Sequence, residues 1–325
     1  MLGGKNVDYL VGSTGFVGTN LRAAHQFDGM FHSTDIEQAF GNRPDLLVYA
    51  GVPAEMFLAN ENPEKDLEII EKAMEAILKI QAKQVVLIST IAVYKMADGV
   101  DERTEIEEKG LSSYGKNRFL LEQWVEERIE HSCIIRLPAL YGISLKKNFI
   151  YDFIHRIPPM LSKEKYLELS GKEKKICDLY ILQENGFYRC CATERKEKIL
   201  LREFFEKVGF SALSFTDSRG WYQYYHLKEL WGHIQKALKY EITKINLAVE
   251  PIKIQELYQE LTGEVFENLL NKPVPHYNFK TEYAEMFGGT NGYIYPKETV
   301  LKEIKKYIKT EWRKEWGEEY ASVNF

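Results

Sequence analysis

The chain has 325 residues, 45% of them hydrophobic and 28% charged, which excludes disorder as its main state and suits a large α/β domain with one appended lobe. Lys and Arg number 43 against 48 Asp and Glu; the formal net charge of −5 lacks the basic excess of a general nucleic-acid binder. Four cysteines, Cys133, Cys177, Cys190 and Cys191, form no Cys-x-x-Cys, so neither a zinc knuckle nor a disulfide framework is expected, and they read as reduced, mostly buried thiols of a cytoplasmic protein.

At the N-terminus, Met1 to Asp8 contains no apolar signal core, because Asp8 interrupts it at once. Val7 to Val11 reads as a first strand, followed by a glycine-punctuated turn. Met30 to Phe31, Leu46 to Ala50, Val85 to Ser89 and Cys133 to Leu137 read as four more. The longest apolar-rich runs, residues 46–54 and 85–94, are about half the length a membrane helix needs, so no membrane partner is expected. These runs lack polar alternation, as strands covered on both faces do. Asn62 as N-cap and Pro63 at the first helical position open a helix whose Leu67, Ile70, Met74, Ile77 and Leu78 recur at helical spacing to about Gln81. A second helix runs from about Ser113 to Ile129, with Leu120, Leu121, Trp124 and Val125 as its stripe. Strand-helix alternation of this kind implies a Rossmann-type, doubly wound parallel sheet over residues 1–142. Beyond Gly142 the texture turns aromatic and charged. A smaller, partly interleaved substrate lobe is expected over 143–325, with Lys244 to Val249 returning to the main sheet as a strand. A terminal helix from Pro296 to about Trp316 carries Val300, Leu301, Ile304, Ile308 and Trp312 on one face.

The segment Val11-Gly12-Ser13-Thr14-Gly15-Phe16-Val17-Gly18 follows the first strand and opens a helix. Glycines three apart let backbone N–H groups approach a pyrophosphate at the positive end of a helix, and Gly18 lets that helix pack close to the sheet. A tight strand-helix turn without a ligand is the plainer alternative; its position at the first strand of a βα unit favours dinucleotide binding.

The Gly-x-x-Gly-Phe-x-Gly form resembles the extended short-chain dehydrogenase/reductase family, which includes nucleotide-sugar epimerases, dehydratases and reductases. Four further segments match in order: residues 45–52 (Asp-Leu-Leu-Val-Tyr-Ala-Gly-Val), 86–94 (Val-Leu-Ile-Ser-Thr-Ile-Ala-Val-Tyr), 112–118 (Ser-Ser-Tyr-Gly-Lys-Asn-Arg) and 136–142 (Arg-Leu-Pro-Ala-Leu-Tyr-Gly). The resemblance implies that Gly12, Thr14, Gly15, Phe16, Val17, Gly18, Ser33, Asp35, Ala50, Gly51, Val52, Leu137 and Leu140 line the cofactor. It also implies that Tyr114 is the catalytic acid or base and Thr90 the hydroxyl that bonds the reacting oxygen. A phenol with a pKa of about 10 needs nearby positive charge to act as a base near neutrality. The family places Lys four residues after its Tyr; this chain has Arg118. Lys116, two residues on, points to roughly the opposite side of a helix, so Arg118 is expected to take over the lysine's part beside the cofactor.

The 4,6-dehydratases of the family carry Asp-Glu directly after the catalytic Thr, where this chain has Ile91-Ala92. Dehydration is therefore not expected, and keto-sugar reduction is favoured over epimerisation. Phe31-His32-Ser33-Thr34, at the end of the second strand, suits the 2′-phosphate of NADP; with Asp35 as the ribose reader the preference would be NAD. Lys147, Asn148 and Arg219 lie where relatives hold a nucleotide diphosphate, although surface charges are often merely solvated. Among the aromatics at 221–225 a half-buried strand is the plainer reading, and His226 reads as structural. The seven histidines show no metal-ligand spacing, so no metal is expected. The partners expected are a nucleotide-sugar, supplied for surface polysaccharide, and a second copy of the chain meeting the Tyr helix through Leu120, Trp124 and Val125, unless these are core. A redox-silent dinucleotide-sensing protein is the alternative from another class.

Overall fold

The computed structural model describes residues 6–318; the reading of residues 1–5 lies outside the described residues. Two compact units are distinguished. One comprises residues up to 145 with 221–252 and 276–300; the other comprises 146–220, 253–275 and those from 301.

In the first unit the elements follow the apolar runs. They are β1 (Asp8–Val11), α1 (Phe16–Ala24), β2 (Gly29–Phe31), β3 (Leu46–Tyr49), α2 (Met56–Glu61), α3 (Pro63–Ile80), β4 (Gln84–Thr90), α4 (Ser113–Arg128), β5 (Ser132–Leu137) and β6 (Ala139–Tyr141). A late strand, β7 (Lys244–Asn246), returns to β5. The main sheet has the order β7-β5-β4-β3-β1-β2, and every neighbouring pair is parallel. The chain steps outward from β1 to β2, then returns to the other side of β1 with β3. That reversal puts the crevice of a doubly wound sheet at the carboxyl ends of β1 and β3.

All four residues of β3 are buried, as its unbroken apolar sequence requires. The Asn62 side chain accepts from Lys65 N (3.3 Å), and Pro63 occupies the first turn of α3. Ile70, Ala73, Ile77 and Ile80 of α3 pack with Leu47, Val85, Leu87 and, from α4, Leu121 and Val125. Val125 is therefore core, whereas Leu120 on α4 and Leu78 on α3 face solvent. β6 lies outside the main sheet, paired in parallel with Tyr224–His226. Tyr224 and Tyr225 are both buried, so that strand is covered on both faces, whereas Trp221 and Tyr222 before it are half-buried as expected.

The second unit holds a three-stranded antiparallel sheet in the order Met160–Leu161, Tyr188–Cys190, Tyr180–Leu182. Its core gathers Leu161, Leu169, Ile176 and Tyr180 with Leu201 and Phe205 of the helix Arg195–Lys207. The terminal helix, Lys297–Trp316, buries Val300, Ile304, Ile308 and Trp312. The cysteines correct the expectation of mostly buried thiols. Cys133 is buried, Cys190 half-buried, and Cys177 and Cys191 are exposed. Successive side chains on an extended chain leave by opposite faces, so the neighbours Cys190 and Cys191 do not share one environment. Among the described residues no helix is long and apolar enough to cross a membrane, and no group of three or more His, Cys, Asp or Glu is placed to hold a metal.

Candidate active site

Parallel strands deliver the carboxyl ends of β1, β3 and β4 to one end of the first unit. Beyond β1 the N–H groups of Gly12 and Ser13 both donate to the Phe31 carbonyl (2.8 and 3.1 Å), and Gly15 N donates to Gly12 O (3.0 Å). Helix α1 starts after Gly15 with no side-chain cap, so its first amides are left for an anionic group, the arrangement a diphosphate needs. Thr14 and Gly15 are exposed, Phe16 and Val17 half-buried. A Cβ on Gly18 would lie 2.1 Å from the Gly12 carbonyl oxygen. Alanine normally gains about 0.5–1 kcal/mol over glycine inside a helix, but here the overlap is with backbone and strain of about 1–3 kcal/mol wins. Gly18→Ala is expected to lower the melting temperature and to weaken dinucleotide binding measured by calorimetry; unchanged binding would deny the turn that role. Small residues continue the surface: Ala50, Gly51 and Val52 after β3 are half-buried.

After β2 the chain turns through His32-Ser33-Thr34-Asp35. Asp35 accepts from His32 N (2.7 Å), and its second oxygen lies 3.2 Å from His32 Nε2. Thr34 Oγ1 lies 2.8 Å from His32 Nδ1. Ser33 is exposed. Asp35 thus spends its carboxylate within its own loop.

Thr90 ends β4, and its hydroxyl accepts from Ala92 N (3.1 Å), capping the short turn Ile91–Val93. Ser112 Oγ caps α4 at Gly115 N (3.2 Å), and Asn60 of α2 accepts from Tyr114 N (3.0 Å). A Cβ on Gly115 would sit 2.3 Å from the Ala92 carbonyl oxygen, so glycine there is what lets α4 approach the Thr90 turn. As a result Thr90 reaches the Tyr114 phenol, and the phenol is buried. Directly after Thr90 stand the uncharged Ile91, buried, and Ala92, half-buried.

Arg118 is 4% exposed, and its guanidinium carbon lies 4.2 Å from the centre of the Tyr114 ring. Its Nη1 donates to Asp66 of α3 (2.5 Å) and its Nη2 to the Pro53 carbonyl (2.6 Å). Asp66, 6% exposed, also accepts from Asn117 (2.8 Å). The phenol's pKa is consequently raised above its ordinary value. Burial is the largest cause, Arg118 and Thr90 pull it down, and Asp66 pushes it up. Arg118 thus acts on the phenol in the direction expected from its charge, and burial outweighs it. Lys116 points outward, with Glu108 3.7 Å away.

Further along α4, Glu122 receives a bidentate pair from Arg136 of β5 (3.1 and 2.6 Å) and a hydrogen bond from Ser89 beside Thr90 (2.5 Å). Arg136 also donates to the Tyr94 hydroxyl (2.7 Å). Leu137 is buried at the end of β5, and Leu140 is half-buried on β6. His226 stacks on Tyr141 (4.4 Å between ring centres).

The three residues expected at a diphosphate belong to the second unit. Lys147 is exposed. Asn148 caps the helix Phe149–His155, accepting from Ile150 N and Tyr151 N. Arg219 is held by Asp217 (2.6 Å), which leaves its charge compensated.

Asp66, Asn60 and Pro53 were not among the expected site residues. A single acid in the first turn of a helix carries no signal beyond a favourable dipole contact, and its partner is 52 residues away.

A family model described as the RmlD substrate binding domain matches residues 9–162. No curated protein matches the sequence. Among solved structures, the chain is similar to dTDP-4-dehydrorhamnose reductase of Bacillus anthracis in complex with NADP. The identity is 12% and the TM-score 0.60, over 95% of this chain and 100% of that one. It is similar to the Bordetella bronchiseptica enzyme WbmG in complex with NAD and UDP (12%, TM-score 0.64, 97% and 96%). A third is UDP-N-acetylglucosamine 4-epimerase of Methanobrevibacter ruminantium in complex with UDP-N-acetylmuramic acid (12%, TM-score 0.60, 94% and 97%). Identities this low establish a common fold.

Proposed function

We propose, on the premise that the chain is a member of the extended short-chain dehydrogenase/reductase family, that it reduces a keto group on a nucleotide-linked sugar with a nicotinamide dinucleotide, Tyr114 giving the proton. The observation that carries this reading is the buried Tyr114 phenol meeting Thr90 at the carboxyl end of β4. Solved structures of similar fold hold NADP, NAD, UDP or a UDP-sugar, which supports a nucleotide-sugar enzyme.

The residues present fit a dinucleotide: the uncapped start of α1 suits the diphosphate, and the small residues at 50–52 leave room at the end of β3. The cofactor, when bound, supplies the hydride. Thr90 orients the carbonyl oxygen by hydrogen bonding. Tyr114, held protonated by its burial, donates to that oxygen as it gains negative charge. A phenol with a raised pKa suits this direction better than proton abstraction, which favours reduction over epimerisation. The acid pair of a dehydratase is missing at 91–92.

The loop after β2 supports NADP. Asp35 is occupied by His32, and Ser33 with Thr34 offers hydroxyls where an acidic reader would repel a 2′-phosphate. Charge-assisted hydrogen bonds of about 1.5–3 kcal/mol make NADPH bind about tenfold or more tighter than NADH. Titration calorimetry with both decides it, and equal or reversed affinities would return Asp35 to the ribose. A homodimer through α3 and α4 is proposed from the exposed Leu78 and Leu120, with light scattering as its check.

A redox-silent sensor is favoured by one feature, Arg118 in place of lysine with its charge compensated by Asp66. Incubation with reduced cofactor and a panel of 4-keto-sugar nucleotides separates the readings. Loss of reduced-nicotinamide absorbance with any of them supports the enzyme; binding without oxidation across the panel supports the sensor.

A further inference from the structure

The corner where α2, α3 and α4 meet contains a buried ion pair that the proposed reaction does not call for. A lysine at position 118 would bring a mobile, uncompensated charge on a flexible stem. Here both terminal nitrogens of Arg118 are committed, one to the Asp66 carboxylate and one to the Pro53 carbonyl. The flat group lies against the ring of Tyr114, one helical turn back. Asp66 is itself fixed by Asn117, whose side-chain nitrogen also donates to Pro63 O (3.3 Å). The chain therefore presents the phenol with a compensated pair and not with a free cation.

We infer that Asp66 is a positioning residue, which clamps Arg118 against the Tyr114 ring and compensates its charge so that Tyr114 works as a proton donor and not as a standing phenolate. The inference rests on the reading of Tyr114 as the proton donor given above. Among the described residues, the charged groups that act on the phenol are Arg118 from its own helix and Asp66 from α3; β4 contributes the uncharged Thr90, and α2 the uncharged Asn60, which holds the Tyr114 backbone. Removing the negative partner leaves Arg118 to act on the phenol alone, and its ionisation moves to lower pH. Restoring a carboxylate at this position moves it back.

The test reads tyrosine ionisation directly. Protein labelled with 13C at the tyrosine ring carbon bearing oxygen is titrated by NMR, the Tyr114 signal being assigned as the one lost in Tyr114→Phe. Asp66→Asn is expected to lower the midpoint of Tyr114 by about one unit or more, a tenfold rise in phenolate at a fixed pH below the midpoint. Asp66→Glu is expected to keep the midpoint near that of the unaltered protein. The alkaline limb of the reduction rate should move with the signal. If Asp66→Asn does not fold, Arg118→Met gives the complementary reading: loss of the cation with Asp66 kept raises the midpoint. An unmoved midpoint in a folded Asp66→Asn or Arg118→Met protein overturns the inference even if the enzyme turns over. A moved midpoint without turnover of any keto-sugar upholds the electrostatic role and removes the proposed reaction instead.

Discussion

Tyr114→Phe is expected to reduce turnover of a keto-sugar nucleotide by about 10²–10⁴-fold, the range that a positioned proton donor contributes, while dinucleotide affinity stays unchanged. The substitution removes one oxygen from a ring whose surroundings are otherwise fixed. Arg118 still lies against its face, Gly115 still packs on the Ala92 carbonyl, and Asn60 still receives the backbone N–H. The glycine turn, through which the diphosphate would be held, is untouched. A drop in kcat with an intact Kd assigns the loss to chemistry. Full activity in the variant would mean that another group, or water, delivers the proton, and the site would need a different donor.

The second large effect concerns stability. Glu122 and Arg136 are fully buried, and each has the other as its charged partner. Removing one member leaves the other charge desolvated and uncompensated, which typically costs about 3–5 kcal/mol. Glu122→Leu is therefore expected to unfold the first unit at markedly lower urea concentration. Replacing both residues, as Glu122→Leu with Arg136→Met, should recover most of that loss, because apolar groups of similar volume can substitute for a buried pair. Ser89 and Tyr94 each lose a partner in the double variant, so recovery stays incomplete. A single variant with less than about 1 kcal/mol of effect would show that water reaches the pair.

Much of the fold is legible in the sequence because the central strands are covered on both faces. Leu46 to Tyr49 and the run ending at Thr90 announce themselves as short apolar blocks, and Asn62-Pro63 marks the start of α3 within a residue. Helix α2 was not legible. It is six residues long, and its Met56, Phe57 and Leu58 face outward, so it has no amphipathic period to find. The strands of the second unit are two or three residues each, too short for alternation to register. In the site, motifs legible in the chain carry the resemblance that implies Thr90, Tyr114 and Arg118. It could not say what Arg118 would touch. That answer depends on α3 packing against α4, which brings Asp66 into range, and such pairing is a property of tertiary structure.

The late return of β7 has a consequence for synthesis. The edge of β5 that accepts β7 is made by residue 137, but its partner arrives only at residues 244–246. At about 5–20 residues per second, the ribosome leaves that edge uncovered for roughly 5–20 s while the intervening chain is made. An open parallel edge rich in Ile and Leu is a template for wrong neighbours in a crowded polysome. Truncating a gene for this protein before residue 244 would make that exposure permanent, so fragments ending there should aggregate where the full chain does not.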